Sequence, residues 1–207
     1  MHVDLAGPAG RLEGLLESPP APRFAALVLH PHPLHGGTMH THSAYQVAKG
    51  ALDAGGVALR IQFRGVGRSA GVHSGGPGEV ADARAARLWL SGRFPGLPVL
   101  LGGMSFGAWI ALQLGCDDPE VEGVLAAGLA SRALSLGSLP ECPRRVAAVQ
   151  AANDELGPVA EVERLMAGPP DRRRLALVPG AGHLFLEDLP ALRREARASW
   201  EWLASPG

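Results

Sequence analysis

Six short apolar runs punctuate the chain, at residues 24–30 (FAALVLH), 57–63 (VALRIQF), 98–103, 121–129, 146–151 and 175–179. Most are unbroken rather than alternating, which is the pattern of strands covered on both faces of a parallel sheet. Between them, residues 43–54, 79–93, 106–114, 158–167 and 189–203 repeat their apolar positions at helical spacing. In the second of these segments, Val80, Ala81, Ala85, Leu88 and Trp89 form one stripe, with Arg84 and Arg87 off it. Residues 2–17 read as an antiparallel hairpin at a sheet edge. Strand and helix alternating in this way predict an α/β fold, a doubly wound and mostly parallel sheet with helices on both faces. The Gly and Pro clusters at 75–78 and 168–170 fall between elements, and no repeat interrupts the pattern, so residues 1–207 are expected to form a single domain. Ligands of such sheets bind beyond the carboxyl ends of the strands, and candidate chemistry is sought there.

Gly103-Met104-Ser105-Phe106-Gly107 fits G-x-S-x-G, a sharp strand-to-helix turn that exposes a serine hydroxyl. A second match, Gly67-Arg68-Ser69-Ala70-Gly71, runs into Gly-rich sequence with no helix behind it. Ser105 directly follows an apolar run and opens a helical segment, so context selects Ser105 as the nucleophile and leaves Ser69 a structural role. A serine hydroxyl is a weak nucleophile unless a base takes its proton and a carboxylate orients that base. In this topology the acid precedes the histidine, each just after a later strand. His183 is the only histidine beyond Ser105, and it lies after the run 175–179 in what reads as a flexible loop. Asp154 follows the run 146–151, with Glu155 as its rival and an Asx turn as its structural alternative.

Five of the eight histidines, His30, His32, His35, His40 and His42, fall within thirteen residues after the first core strand. That loop supplies the second donor of an oxyanion hole in this architecture. Pro31 and Pro33 have no N–H, so the backbone amide of His32 is the nearest candidate, with Leu34 as the alternative, and the amide of Phe106 supplies the other donor. Met104 and His35 are the candidate substrate contacts. A metal site is the rival reading of the histidines, but the cluster holds no carboxylate or thiolate and its prolines stiffen the H-x-H pair; no metal and no cofactor are expected.

Composition narrows the classes further. With 46% hydrophobic and 19% charged residues the chain can bury a substantial core, and a net charge of -1 lacks the basic excess expected for nucleic-acid binding. Cys116 and Cys142 are too few and too isolated to read as a disulfide framework, which points to a reducing cytoplasm. The first eighteen residues have neither the basic flank nor the apolar run of a signal peptide, and no apolar run reaches the roughly 20 residues of a membrane helix.

Three motifs in order, HPHPLHGGTM at 30–39, FRGVGRS at 63–69 and GMSFG at 103–107, resemble those of the α/β-hydrolase superfamily, and more narrowly of small bacterial hydrolases related to dienelactone hydrolase. The resemblance implies Ser105, Asp154 and His183 as nucleophile, acid and base. Dienelactone hydrolases proper use a cysteine nucleophile, and serine stands at that position here. The expected function is a serine hydrolase of carboxylic esters or thioesters working through an acyl-enzyme. An acyltransferase or peptidase with the same triad and a non-catalytic ligand-binding protein of the same fold are the alternatives. Its partner is expected to be a small-molecule ester or thioester, with no nucleic acid and no membrane. In this superfamily a lid usually enters after the run that ends near residue 129; about 16 residues separate 130 from 146, too few for a substantial helical lid.

Overall fold

The computed structural model describes residues 1–137 and 139–205. Each apolar run becomes a strand: β1 (His2–Gly7), β2 (Gly10–Glu17), β3 (Ala25–Leu29), β4 (Val57–Ile61), β5 (Val99–Met104), β6 (Gly123–Ala127), β7 (Arg145–Ala151) and β8 (Arg173–Val178). They join one sheet in the order β1-β2-β4-β3-β5-β6-β7-β8. β1 and β2 form the expected antiparallel edge hairpin, β2 joins β4 antiparallel, and the pairings among β3 to β8 are all parallel. The helices are α1 (His42–Asp53), α2 (Pro77–Arg93), α3 (Phe106–Asp117), α4 (Val159–Leu165) and α5 (Leu189–Ala204).

Alternate residues of each central strand feed opposite cores, because successive side chains leave a strand on opposite faces. Leu27, Leu59, Leu101 and Val124 pack with Ala86, Leu90 and Ile110 of α2 and α3. Val28, Leu100 and Leu125 pack with Val47 of α1 and with Leu192 and Trp200 of α5. Trp200 is fully buried, donates its ring N–H to the Val47 carbonyl at 3.0 Å, and occupies the space that a side chain at Gly102 would need. A doubly covered sheet explains why its strands read as unbroken apolar runs.

The stripe expected on α2 lies at the margin of its buried face: Val80, Ala85 and Trp89 are half-buried against the core. Leu88 is 56% exposed, whereas Ala83, Ala86 and Leu90 face the core together with Glu79, Asp82 and Arg87. These three charges tolerate burial because each is paired. Asp82 accepts two bonds from the Arg64 guanidinium, Arg87 pairs with Asp118, and Glu79 accepts the backbone N–H groups of Ser74 and Gly76. Counting apolar residues alone therefore finds the edge of the buried face and misses its charged centre.

A second correction concerns the cysteines. Cys116, at the end of α3, and Cys142, before β7, form a disulfide, their Cα atoms 4.9 Å apart although 26 positions separate them in sequence. The cysteine count therefore no longer argues for a reducing compartment. Closing a loop of that length is worth about 3.5 kcal/mol in the chain-entropy relation. Under dithiothreitol, or in the Cys116→Ser/Cys142→Ser double variant, the thermal midpoint should fall by several degrees. An unchanged midpoint would show that the bond contributes nothing to stability.

Among the described residues, the connection between β6 and β7 contains no helix and no lid. No helix among them is long and apolar enough to cross a membrane.

Candidate active site

The turn between β5 and α3 places Ser105 at φ 55°, ψ −113°, a left-handed backbone region that L side chains rarely occupy. Its neighbours leave no room for side chains. A Cβ on Gly103 would run into the Gly107 backbone, and a Cβ on Gly107 would strike the carbonyls of Leu29 and His30. Both glycines of the motif are thus required sterically, and the serine is lifted out of the sheet edge. Ser69, by contrast, is buried and does not line the cavity that opens onto Ser105. Its hydroxyl donates to the Gln62 carbonyl at 2.8 Å and accepts the Glu13 N–H at 2.9 Å, holding the 63–69 turn against the edge hairpin.

Ser105 Oγ lies 2.8 Å from His183 Nε2, and His183 Nδ1 lies 2.8 Å from Asp154 Oδ2. The three side chains follow the ends of β5, β7 and β8; β7 and β8 are neighbours, and β6 lies between β5 and β7. Asp154 fills both of its expected roles at once. Its Oδ1 accepts the N–H groups of Leu156 and Gly157 at 2.9 and 3.0 Å, an Asx turn, while Oδ2 faces the imidazole. Glu155 is exposed.

Two supports escape the sequence reading. Gln150, fully buried at the end of β7, donates to Asp154 Oδ2 at 2.8 Å and to the Gly157 carbonyl at 2.7 Å, and its Oε1 accepts the Leu129 N–H at 2.8 Å. It ties the carboxylate to the end of β6. The loop bearing His183 is not flexible in the way its glycines suggest. Phe185, fully buried at φ 59°, anchors it in the core; Glu187 accepts the Gly182 N–H, and the Ala181 carbonyl accepts the Asn153 N–H. The signals were one apolar and one acidic residue just beyond the histidine and a polar residue inside an otherwise apolar strand.

The five clustered histidines disperse. His40 and His42 are exposed. His30 is fully buried: its Nε2 accepts the Phe63 N–H at 3.1 Å and its Nδ1–H donates to the Pro31 carbonyl at 2.7 Å. Burial pushes its pKa down from 6.5 to about 4, against a small opposing effect of the Pro31 bond. The folded state consequently binds fewer protons than the unfolded chain below pH 6.5, and this stability, present above that pH, is lost as pH falls toward about 4. The expected loss is at most about 1.4 kcal/mol per pH unit in that window. Urea titrations at pH 7 and pH 5 should show a smaller acid loss in His30→Asn than in the wild type; equal losses would refute the assignment.

His32 and His35 line a cavity of about 290 Å3 that opens onto Ser105 and His183, flanked by Leu156 and Leu184. No Asp, Glu, Lys or Arg side chain lines it. Met104, a candidate contact by sequence, is fully buried in the core behind the sheet and does not reach the cavity. It is the last residue of β5, so strand alternation turns its side chain inward as the next residue is lifted outward. The Leu34 N–H is already bonded to the His32 ring at 3.2 Å, which removes it as the alternative donor. Among the described residues, the N–H groups of His32 and Phe106 have no acceptor within the chain. His73, unremarked in the sequence, joins the site by packing its ring against His32 and Phe106 at centroid distances of 4.9 and 5.6 Å. Among the described residues, no group of three or more His, Cys, Asp or Glu is arranged to hold a metal ion.

No family model matches the chain. An uncharacterized protein of Rickettsia prowazekii is 38% identical over 189 residues, covering 86% of this chain and 79% of that protein. A serine hydrolase homologue of α-β type from Coxiella burnetii superposes with a TM-score of 0.88 at 29% identity, over 96% of each chain. A protein of unknown function from Agrobacterium tumefaciens, described as a candidate alpha/beta hydrolase, superposes with a TM-score of 0.87 at 32% identity, over 96% of this chain and 94% of its own. An eight-stranded sheet of this order, a serine on a steric elbow and a relative of that similarity and coverage agree, and the chain belongs to the α/β-hydrolase family.

Proposed function

We propose that the protein is a serine hydrolase that cleaves carboxylic ester or thioester bonds through an acyl-enzyme. The observation that carries this reading is the unbroken line from Ser105 Oγ through His183 to Asp154, with both contacts at 2.8 Å. Ser105 Oγ attacks the acyl carbonyl as its proton passes to His183 Nε2. Asp154 holds Nδ1–H and so keeps the imidazole in the tautomer that can accept. The amides of Phe106 and His32 meet the oxygen on which negative charge develops. The imidazolium then protonates the departing alkoxide or thiolate. In the second half-reaction His183 takes a proton from water, the hydroxide attacks the acyl carbon, and Ser105 leaves with that proton restored.

The cavity wall favours substrates that carry no charge next to the scissile bond, since leucine, glycine, threonine and imidazole side chains offer no partner of fixed charge. The serine hydrolase homologue from Coxiella burnetii supports the reaction class. Purified protein should hydrolyse p-nitrophenyl acetate at neutral pH. Full activity in Ser105→Ala would overturn the proposal.

A further inference from the structure

The side chain of His32 holds the loop that carries its own amide. Its Nδ1 accepts the Leu34 N–H at 3.2 Å, capping the 3-10 turn Pro33–His35, and its carbonyl accepts the N–H groups of His35 and Gly37 at 3.0 and 3.1 Å. At Gly37 the chain folds back closely enough that any side chain would meet the Pro31 carbonyl. The imidazole also rests on the Phe106 ring at 4.8 Å between centroids, so the side chain of one proposed oxyanion donor packs on the residue that supplies the other.

An acceptor at Nδ1 makes this ring the neutral Nε2–H tautomer. A second proton can go only onto Nδ1, where it would confront the Leu34 N–H, break the cap and leave two donors facing each other. The surrounding charges work in the same direction. His35 stacks on the ring at 4.6 Å and His73 packs on it at 4.9 Å, and His183 lines the same cavity. The buried Glu79 carboxylate lies 3.0 Å from His73 Nδ1 and accepts hydrogen bonds from Ser74 and Gly76. Burial first, and then the His35 and His73 rings, lower the pKa of His32, with Glu79 opposing.

We propose that neutral His32 is a positioning residue: its ring sets the register of the two oxyanion donors, and its protonation releases the loop. The inference rests on the serine hydrolase reading above. It adds an ionisation of His32 to the pH dependence, so activity on a neutral ester falls off in acid more steeply than one base requires.

The test is the pH dependence of kcat/KM for p-nitrophenyl acetate from pH 5 to 9, above the range in which His30, near about 4, would charge. The intact protein is compared with His32→Asn and His32→Ala. Asparagine can accept the Leu34 N–H and does not titrate. The wild-type acid limb should steepen toward a slope of two on logarithmic axes, whereas His32→Asn should show a slope of one. His32→Ala should lose about tenfold in kcat with little change in KM, because the donors remain present but are misplaced, and His32→Asn should recover most of that loss. A slope of one in the wild type, a slope of two in His32→Asn, or full activity in His32→Ala would overturn the proposal. If no hydrolysis depends on Ser105 at pH 8, the hydrolase reading itself fails; a Ser105-dependent enzyme with a single acid ionisation fails this inference alone.

Discussion

His183→Ala should lower kcat on p-nitrophenyl acetate by about 10⁵-fold, and adding Ser105→Ala should lower it little further. Groups that act as one unit are strongly non-additive: without the base the hydroxyl keeps its proton, and without the hydroxyl the base has nothing to activate. Their 2.8 Å contact predicts that shared loss. Residual rate above the uncatalysed reaction would come from the amides of His32 and Phe106, which neither substitution touches. The check is a comparison of kcat for the two single variants and the double variant. Losses that multiply would mean that Ser105 and His183 act independently, and the mechanism would have to be abandoned.

Asp154→Asn should cost about 10⁴-fold in kcat while leaving KM near its wild-type value. The asparagine amide can keep the Asx turn with Leu156 and Gly157, yet where carboxylate faced His183 Nδ1–H it can present an NH₂ group, favouring the wrong imidazole tautomer. Gln150→Leu should cost far less, about tenfold, since the carboxylate remains but loses the donor that aims it. The ratio between the two separates chemistry from positioning. Equal losses in kcat would place Gln150 on the same footing as the acid and contradict the geometry described above.

Much of the fold was legible because sheet burial writes itself into the sequence. The strand runs and helix spans appear with their ends shifted by a few residues, as with β6, which is shorter than the apolar run 121–129, and the edge hairpin is where it was expected. The serine elbow was legible for a different reason: two glycines and a strand-to-helix junction are steric requirements, not preferences. What stayed hidden depends on contacts between residues far apart in sequence. Cys116 and Cys142 look isolated until α3 and the segment before β7 are folded together. Leu88 looks like core until Arg64, Ser74 and Asp118 supply partners that let Asp82, Glu79 and Arg87 take the buried face instead. His73 lies 41 positions after His32, yet their rings meet at 4.9 Å in the folded chain. Met104 shows the limit of motif reading: a place inside G-x-S-x-G does not say on which side of the sheet a side chain falls.

The histidine cluster illustrates the same point in chemical terms. Five neighbouring imidazoles suggest one shared task, but His30 is a neutral core group that holds Phe63 at the turn after β4, His32 and His35 face the cavity, and His40 and His42 meet solvent. The prolines at 31 and 33 and the glycines at 36 and 37 turn the chain too sharply for consecutive histidines to face one way.

The central claim is that Ser105, activated by His183, is the atom that attacks. It is tested most directly by treating the intact protein with a fluorophosphonate and mapping the adduct by peptide mass spectrometry. The account predicts one equivalent of phosphonyl group on Ser105, with none bound in His183→Ala over the same time. An adduct on Ser69, or an unmodified Ser105 in protein that hydrolyses esters, would contradict it.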